Sequence, residues 1–426
     1  MASRDNPQFA GIEIRLDELK RSGPLFYAWV ATLLILMGLG TFAYSLQYRH
    51  GFAATGLSDA FPWGLYIQNF MYFVGLSAGG LVTYASVQLF GAKKLEPIAR
   101  VAVVQAAVCN LLAALFIMPD IGRPLLSFQF VTSPNPLSIL FWDATILNVY
   151  LVLCLVDLWV MITGFGGHKL ELKMTLVSFP AAVGVHTITA WILAFAKTRE
   201  LWHTSLMAPL FLSSAMSSGI ALLILIGLAL RRLAGMRFKD EMFHIMAKVL
   251  ATVVFVDLFF LFVEIMTTFW PASTTPGHAM RLGLLLTGEY AKFFIPQLTV
   301  FGLLPFLLLM HPKTRRTNWI MATSCGLIVT GVFIKRFMLL AMGFGVSPLG
   351  PFDNRYVPTL VEVAVTVALW ALGLLIFTLA VKLLPLQGAQ EEHDEEHQHS
   401  VEQAPEPDGK HPLGEPSRSL WVESQL

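Results

Sequence analysis

Ten long apolar runs constrain this chain more than any other feature of its sequence. A bilayer core of about 30 Å is crossed by a helix of roughly 20 apolar residues. Only 13% of the 426 residues are charged, against about 25% in soluble domains. The sequence therefore predicts an all-α integral membrane protein. Its predicted spans are residues 25–47, 63–90, 98–118, 139–163, 172–196, 205–230, 243–270, 290–310, 318–342 and 357–383.

The spans divide the chain into three predicted regions. Residues 1–24 carry mixed charge and contain no apolar stretch, so we interpret them as a cytoplasmic segment and not as a signal peptide. Residues 25–385 form the transmembrane domain. Residues 386–426 are acidic and rich in proline, which predicts a disordered cytoplasmic tail. The formal net charge of +1 gives no global field that would attract nucleic acid.

Lysine and arginine are distributed unevenly between the two sets of loops. Seventeen of them lie in the termini and in the loops on the same side, and six lie in the opposite loops. Cytoplasmic loops of membrane proteins carry the excess of these residues. The sequence therefore predicts that both termini are cytoplasmic.

The predicted outer loops include four long ones, residues 48–62, 119–138, 271–289 and 343–356. They contain proline, glycine and tryptophan. Because several such loops share one face, we favour a docking platform for another subunit. The alternative is that they only connect helices.

Asp143 stands a few residues inside the fourth span, beside Trp142. A carboxylate inside a membrane span is costly unless it has a partner or a function. An ion pair with Arg123 of the preceding loop would satisfy it structurally. The functional alternative is an exchange of protons with a bound molecule.

The sequence argues against redox groups held by this chain. A b-type haem in a helical bundle usually takes two histidines at matching depth, but only His186 lies within the membrane interior, whereas His203 and His244 lie at span ends. Three cysteines in separate apolar runs cannot supply the four thiolates of an iron–sulfur cluster. We therefore expect no haem, no iron–sulfur cluster and no metal in this chain.

A quinone site remains compatible with the residues. A quinone needs an apolar slot, donors to its carbonyl oxygens and groups that exchange protons. Asp143, His186, Gln68, Asn69 and Tyr150 include suitable types. The helical rise places His186 about 10 Å deeper than Asp143. Either both act across an extended site, or one of them alone touches the ligand, and a core role for His186 stays open.

Charged residues also lie in the spans of the second half. His244, Asp257 and Glu264 belong to the seventh span, and Lys335 and Arg336 are adjacent in the ninth. Asp257 and Glu264 are seven residues apart and share one helix face. These residues could form structural ion pairs or a proton path, and the sequence leaves both possibilities open.

Six motifs resemble one known family when they are taken in order. Together they are similar to the NrfD/polysulfide reductase membrane-subunit family, over roughly residues 25–385. Ten spans resemble its longer branch, which includes membrane subunits of menaquinone reductase complexes. The motifs are PWGLYI with a following Asn, GLSAGG, DIGRP, the Phe-Trp-Asp start of the fourth span, VHTITAW, and WHTSLMAPLFLSSAMSSG.

The resemblance implies a fold and a site. It implies two four-helix bundles, spans 2–5 and 6–9, with flanking helices and a menaquinone bound in the first bundle near the outer face. Asp143 and His186 are the implied catalytic positions. Some relatives have histidines where this chain has Ser77-Ala78 and Asp120, so the proton-exchanging set differs. The resemblance also implies Gln68, Asn69, Asp120 and Arg123 as quinone-binding residues, and we add Ser77, Trp142 and Tyr150 to the predicted quinone-binding set.

The resemblance also implies partners and a location. Family members partner a ferredoxin-like iron–sulfur subunit on the periplasmic face, often with a molybdopterin-type or multihaem cytochrome c subunit beyond it. We therefore expect a multi-pass electron-transport subunit of the cell inner (cytoplasmic) membrane, possessing no redox cofactor of its own and serving anaerobic respiration. The charged residues of the second bundle resemble a proposed proton-translocation route in these relatives.

Two other classes remain as alternatives. A secondary transporter also has about ten spans with charges and helix breaks near the midplane. A purely structural anchor would have Asp143 satisfied by Arg123 and no pocket beside it. A co-purifying subunit with iron–sulfur or haem absorbance would favour the hypothesis of an electron-transport subunit over these alternatives.

Overall fold

Ten long helices form the body of the protein. The structure is a computed structural model that describes residues 8–9, 11–13, 15–199, 202–273, 282–345 and 356–386. Within these ranges ten helices are long and apolar enough to cross a membrane, so the predicted all-α membrane protein is confirmed. The described residues also contain one antiparallel pair of two-residue strands, β1 (Gln8–Phe9) and β2 (Ile12–Glu13).

The helix ends lie within five residues of the predicted spans. A short helix, Leu16–Lys20, precedes the first span. The ten helices are α1 (Pro24–His50), α2 (Leu65–Phe90), α3 (Glu96–Ile121), α4 (Ile139–Thr163), α5 (Gly167–Ala194), α6 (Met207–Leu233), α7 (Asp240–Phe269), α8 (Ala291–Met310, with a π-helical turn at Thr299–Leu303), α9 (Asn318–Gly345) and α10 (Leu360–Leu383).

The helices form the two predicted four-helix bundles. In the first bundle α2 and α4 each pack against both α3 and α5, which closes a ring of four. In the second bundle α6 and α8 each pack against both α7 and α9. The contact between α2 and α6 joins the bundles, and the flanking pair α1 and α10 packs on α3 through α10.

Small residues allow α2 and α6 to approach closely. A Cβ atom on Gly79 would lie 2.0 Å from the carbonyl carbon of Gly219. A Cβ atom on Gly80 would lie 2.1 Å from the carbonyl oxygen of Ala102 on α3. The GLSAGG motif therefore brings backbones together, as small residues do at membrane helix interfaces.

Gly79→Ala is expected to destabilise the protein. The added methyl group has to displace backbone at the α2–α6 contact, and overpacking of this kind costs about 1–3 kcal/mol. Gly38→Ala is the matched control, because a Cβ atom there meets nothing within 4 Å. Thermal unfolding of the detergent-solubilised protein should give a lower Tm for the first variant only. Equal melting temperatures would show that the α2–α6 contact tolerates a side chain.

The bundle has a long-loop end and a short-loop end, which we define by the connections between helices. The long-loop end carries residues 51–64, 122–138 and 195–206, together with parts of the connections after α7 and α9. The short-loop end carries the connections 91–95 and 164–166 and those that follow α6 and α8. The predicted docking loops belong to the long-loop end. Residues 274–281 and 346–355 of these loops lie outside the described residues, and so does the predicted tail from residue 387.

The DIGRP motif ends α3 by a glycine turn. Gly122 has φ of 72°, a left-handed conformation that a side chain disfavours. A Cβ atom there would also lie 3.0 Å from the Phe52 ring. The chain then forms a 3-10 turn at Pro124–Phe128 and a short helix at Gln129–Thr132. This loop covers the long-loop end of the first bundle.

Candidate functional site

A cavity of about 470 Å³ opens at the long-loop end of the first bundle. Its walls come from α2, α3, α4, α5 and the loop between α3 and α4. Most of its lining is apolar, including Trp63, Ile67, Phe70, Met71, Leu140 and Leu193. Its polar lining residues are Asp120, Ser127, Asp143, Asn148 and Thr189.

Asp143 lies in this cavity and is held by the neighbouring helix. It occupies the second turn of α4 and is 3% exposed. Thr189 of α5 donates a hydrogen bond from Oγ1 to Asp143 Oδ1 at 2.6 Å. Because Thr189 is also buried, this bond fixes the carboxyl group at the α4–α5 contact and leaves it facing the cavity.

Asp120 supplies a second carboxyl group to the same cavity. It lies in the last turn of α3 and is half-buried. Among the described residues, no group bonds its buried Oδ1 atom. A buried acceptor without a partner is uncommon and calls for an explanation, such as a ligand or water. The structure therefore brings two of the predicted site residues, Asp143 and Asp120, to one apolar cavity.

His186 does not line this cavity. Its Nδ1 lies 2.6 Å from the carbonyl oxygen of Ala182, and its Nε2 lies 2.8 Å from the carbonyl oxygen of Val74 on α2. His186 and Thr189 are three residues apart, so His186 lies one turn deeper along α5. The two predicted catalytic residues are thus not brought to one site, and Thr189 meets Asp143 instead.

Gln68 and Asn69 of α2 point away from the cavity. Gln68 donates to the carbonyl oxygen of Phe333 on α9 at 3.4 Å. Asn69 accepts from the Trp370 indole of α10 at 2.8 Å. Both amides therefore bond to neighbouring helices and do not line the cavity.

Ser77 and Tyr150 lie between α2 and α4, outside the cavity lining. The Tyr150 hydroxyl donates to the carbonyl oxygen of Ser77 at 3.4 Å. The Ser77 hydroxyl bonds its own helix at the carbonyl oxygen of Val74. Tyr150 is buried two helical turns along α4 from Asp143.

Arg123 and Trp142 also lie apart from the cavity. Arg123 lines a separate pocket of about 350 Å³ between α1 and the end of α3. Trp142 is 48% exposed and donates its indole N–H to the carbonyl oxygen of Pro136. Arg123 and Asp143, both described, form no ion pair. The two expectations of the structural-anchor alternative, this pair and the lack of a pocket, are therefore not met.

The charged residues of the second bundle form an ion pair beside a buried arginine. Lys335 Nζ lies 2.8 Å from Asp257 Oδ1, and Ser213 donates to the same oxygen at 2.9 Å. Arg336 is 1% exposed. Its guanidinium carbon lies 3.7 Å from the centre of the Phe211 ring.

A cavity of about 150 Å³ adjoins this cluster and is lined by Glu264, Lys335 and Arg336. Thr204 donates to Glu264 at 3.4 Å. His244 is not part of the cluster, because it precedes Asp257 by thirteen residues, about 20 Å along α7. The structure thus joins four of the five predicted proton-path residues.

Thr189 is the residue of the candidate site that the sequence analysis did not single out. The motif VHTITAW contains it one turn after His186. Its register relative to Asp143 depends on how α4 and α5 pack. The signal available in the sequence was that the Thr189 hydroxyl lies three residues after His186, on the same face of the helix.

Comparison with known proteins identifies the family. The family model described as "Polysulphide reductase, NrfD" matches residues 53–346. A putative dimethyl sulfoxide reductase membrane subunit of Halobacterium salinarum is 32% identical over 87% of this chain and 94% of its own. An Hdr-like menaquinol oxidoreductase integral membrane subunit of Archaeoglobus fulgidus is 30% identical over 85% and 93%. The integral membrane subunit of a menaquinone reductase of Nitratidesulfovibrio vulgaris is 23% identical over 85% and 92%.

Proposed function

The chain belongs to the NrfD/polysulphide reductase family of membrane subunits, and from this membership we propose that it binds menaquinone and exchanges electrons between that quinone and a partner subunit. The observation that carries the proposal is the cavity with Asp143 and Asp120 in its wall. Relatives named as menaquinol oxidoreductase and menaquinone reductase subunits support the choice of quinone.

The cavity fits the chemistry of a quinone ring. Ligand pockets are mostly apolar with a few placed polar groups, and they occupy about 300–1,000 Å³. Aromatic and aliphatic side chains such as Trp63, Phe70 and Met71 suit the ring and the start of an isoprenoid tail. The unpartnered Asp120 oxygen and the Asp143 carboxyl group offer polar contacts to the ring oxygens.

The two carboxyl groups would donate protons to the quinone during its reduction and accept them during quinol oxidation. Reduction of a quinone to a quinol takes up two electrons and two protons. A carboxyl group within hydrogen-bond reach of a ring oxygen can donate a proton in one direction and accept it in the other. Thr189 holds Asp143 in position through its donated hydrogen bond. Asp143 is therefore the residue to which we assign proton exchange, with Asp120 as its companion.

The electrons would come from or go to another subunit at the long-loop end. Within the described residues no group of three or more His, Cys, Asp or Glu side chains could hold a metal. We propose a ferredoxin-like iron–sulfur subunit at this end, with a molybdopterin-type or multihaem cytochrome c subunit beyond it. In this arrangement the long-loop end faces the periplasm, both termini are cytoplasmic and the protein lies in the inner membrane.

Ala144→Trp tests whether the cavity holds the quinone. Ala144 lines the cavity, so a bulky side chain there should fill it and abolish binding of a short-chain menaquinone analogue. Val149→Trp is the control, because Val149 is 46% exposed on the outer face of α4. Calorimetric titration of the purified complex measures both affinities. Tight binding by the Ala144 variant would refute this location.

A further inference from the structure

Several buried polar atoms of the first bundle have no partner in the described part of the chain. Besides Asp120 Oδ1 at the cavity and Gln105 Oε1, they include Asn110 Oδ1, Tyr84 Oη, Ser178 Oγ and both carboxyl oxygens of Asp157. Asn110, Tyr84, Ser178 and Asp157 are all fully buried, and each stands on a different helix of the ring formed by α2, α3, α4 and α5. Buried polar groups without protein partners are ordinarily bonded to ordered water.

Asp157 is the group whose burial without a hydrogen-bond partner costs the most free energy. It is fully buried on α4, and neither of its carboxyl oxygens is bonded to a described residue. The Ser178 hydroxyl of α5 lies close enough to the Asp157 carboxyl group for a weak contact, although the two groups form no hydrogen bond of standard geometry, and Tyr84 of α2 is near enough to interact with Asp157 electrostatically. A carboxyl group in a membrane interior is by default a hypothesis of a functional site.

Asp157 and Asp143 lie on one buried stripe of α4. Residues 143, 147, 150, 154 and 157 are spaced by four and three positions, and all five are buried. This spacing keeps them on one face of the helix. Asp143 and Asp157 are fourteen residues apart, which is about 21 Å along the axis. Asp157 therefore lies towards the short-loop end, directly below the cavity.

Polar groups continue from Asp157 to the short-loop end. Tyr84 lies beside Thr175 of α5, and the Thr175 hydroxyl bonds the carbonyl oxygen of Glu171. Glu171, in the second turn of α5, accepts a hydrogen bond from Gln88 of α2 at 3.1 Å. Glu171 is partly exposed, so it can exchange protons with the solvent at this end.

Polar groups also continue from Asp157 towards the cavity. Cys154 and Tyr150 follow on the same stripe, and Tyr150 is near enough to interact with Asp157 electrostatically. Asn110 of α3 donates to the carbonyl oxygen of Leu147 at 2.8 Å. Leu147 itself lines the cavity. Asn110, whose Oδ1 atom has no partner in the described part of the chain, therefore lies at the level between Tyr150 and the cavity floor.

We propose that Asp157, with Tyr84 and Ser178, carries protons through the first bundle from Glu171 at the short-loop end to Asp143 in the cavity. The proposal rests on the proposed quinone function. For each quinone reduced, two electrons arrive from the partner subunit, and two protons arrive along this path from Glu171 to Asp143. Each proton that Asp143 donates to a ring oxygen is replaced from Asp157 along ordered water. Quinol oxidation runs the same transfers in reverse.

Asp157→Asn tests the proposal in the intact complex, purified with its partner subunits. A short-chain menaquinone analogue is mixed with the reduced complex, and quinone reduction and proton uptake are followed in single turnover. We expect reduction to slow about 100-fold, with analogue affinity unchanged. Tyr84→Phe, which removes only the unpartnered hydroxyl, should slow it in the same sense. Asp157→Glu should restore most of the rate.

Asp240→Asn is the matched control. Asp240 is exposed at the short-loop end, in an ion pair with Arg231, and its replacement should leave the rate unchanged. Wild-type rates in both the Asp157→Asn and Tyr84→Phe variants, with binding intact, would overturn this inference alone. Failure of the wild-type complex to bind the analogue would overturn the quinone function, and the inference with it.

Discussion

Asp143→Asn is expected to lower quinone-coupled turnover about 100-fold, the loss typical when a positioned proton donor or acceptor is removed. Asparagine keeps the shape of the side chain and can still accept from Thr189. It cannot take up or release a proton. The protein should therefore fold and assemble normally while the reaction slows. Steady-state turnover with a short-chain menaquinol analogue, in the complex with its partners, measures the effect.

Two further variants make this result specific. Asp240→Asn makes the same chemical change at an exposed position and should leave turnover unchanged. Thr189→Val leaves the carboxyl group present without its hydrogen bond, so an intermediate loss is expected. Turnover at the wild-type rate in the Asp143 variant would remove Asp143 from the mechanism.

Lys335→Met is expected to destabilise the protein by about 3 kcal/mol, the lower end of the cost of breaking a buried ion pair by removing one partner, because the pair is only partly buried. Lys335 and Asp257 are 15% and 13% exposed and lie 2.8 Å apart. Without the ammonium group, the Asp257 carboxylate retains only the Ser213 hydroxyl among the hydrogen bonds described above. Denaturant or thermal unfolding of the solubilised protein measures the loss.

The double variant Asp257→Leu/Lys335→Met separates a structural role from a proton path. It removes both charges, and replacement of a whole buried pair by apolar residues is often neutral. We expect its stability to recover towards the wild type. If the pair also carries protons, proton movement should be lost in this folded variant. Wild-type stability of Lys335→Met alone would contradict the structural ion pair.

The sequence predicted the helical architecture closely because membrane spans depend on local composition. About 20 apolar residues suffice to define a span, and α4 begins and ends where the apolar run does, at residues 139 and 163. The two-bundle arrangement came from the family resemblance, because composition does not determine which helices pack together. The close contact of Gly79 with Gly219 is consistent with the small-residue pattern in α2.

The site was predicted only in part, because side-chain direction depends on helix rotation. Two residues of the predicted site, Asp143 and Asp120, line one cavity. Gln68 and Asn69 lie at the right depth, but α2 turns them towards α9 and α10. His186 is one turn too deep, and both of its nitrogens contact carbonyl oxygens.

The burial of Asp157 could not be predicted from the sequence either, because it also depends on helix rotation. It lies in an apolar run near the end of α4, where a carboxylate could face solvent beyond the bilayer. Its complete burial follows from the rotation of α4 against α2 and α5. The spacing of fourteen residues from Asp143 was visible in the sequence, but the unpartnered state of its oxygens required the packed bundle.

Photoaffinity labelling tests the central claim most directly. An azido-menaquinone analogue is bound to the purified complex, illuminated, and its attachment sites in this chain are mapped by mass spectrometry. Labelling of residues that line the cavity, such as Phe70, Leu140 or Ile192, competed by excess menaquinone, is the predicted result. Competed labelling confined to residues outside this cavity, such as those around Arg336, would contradict the account.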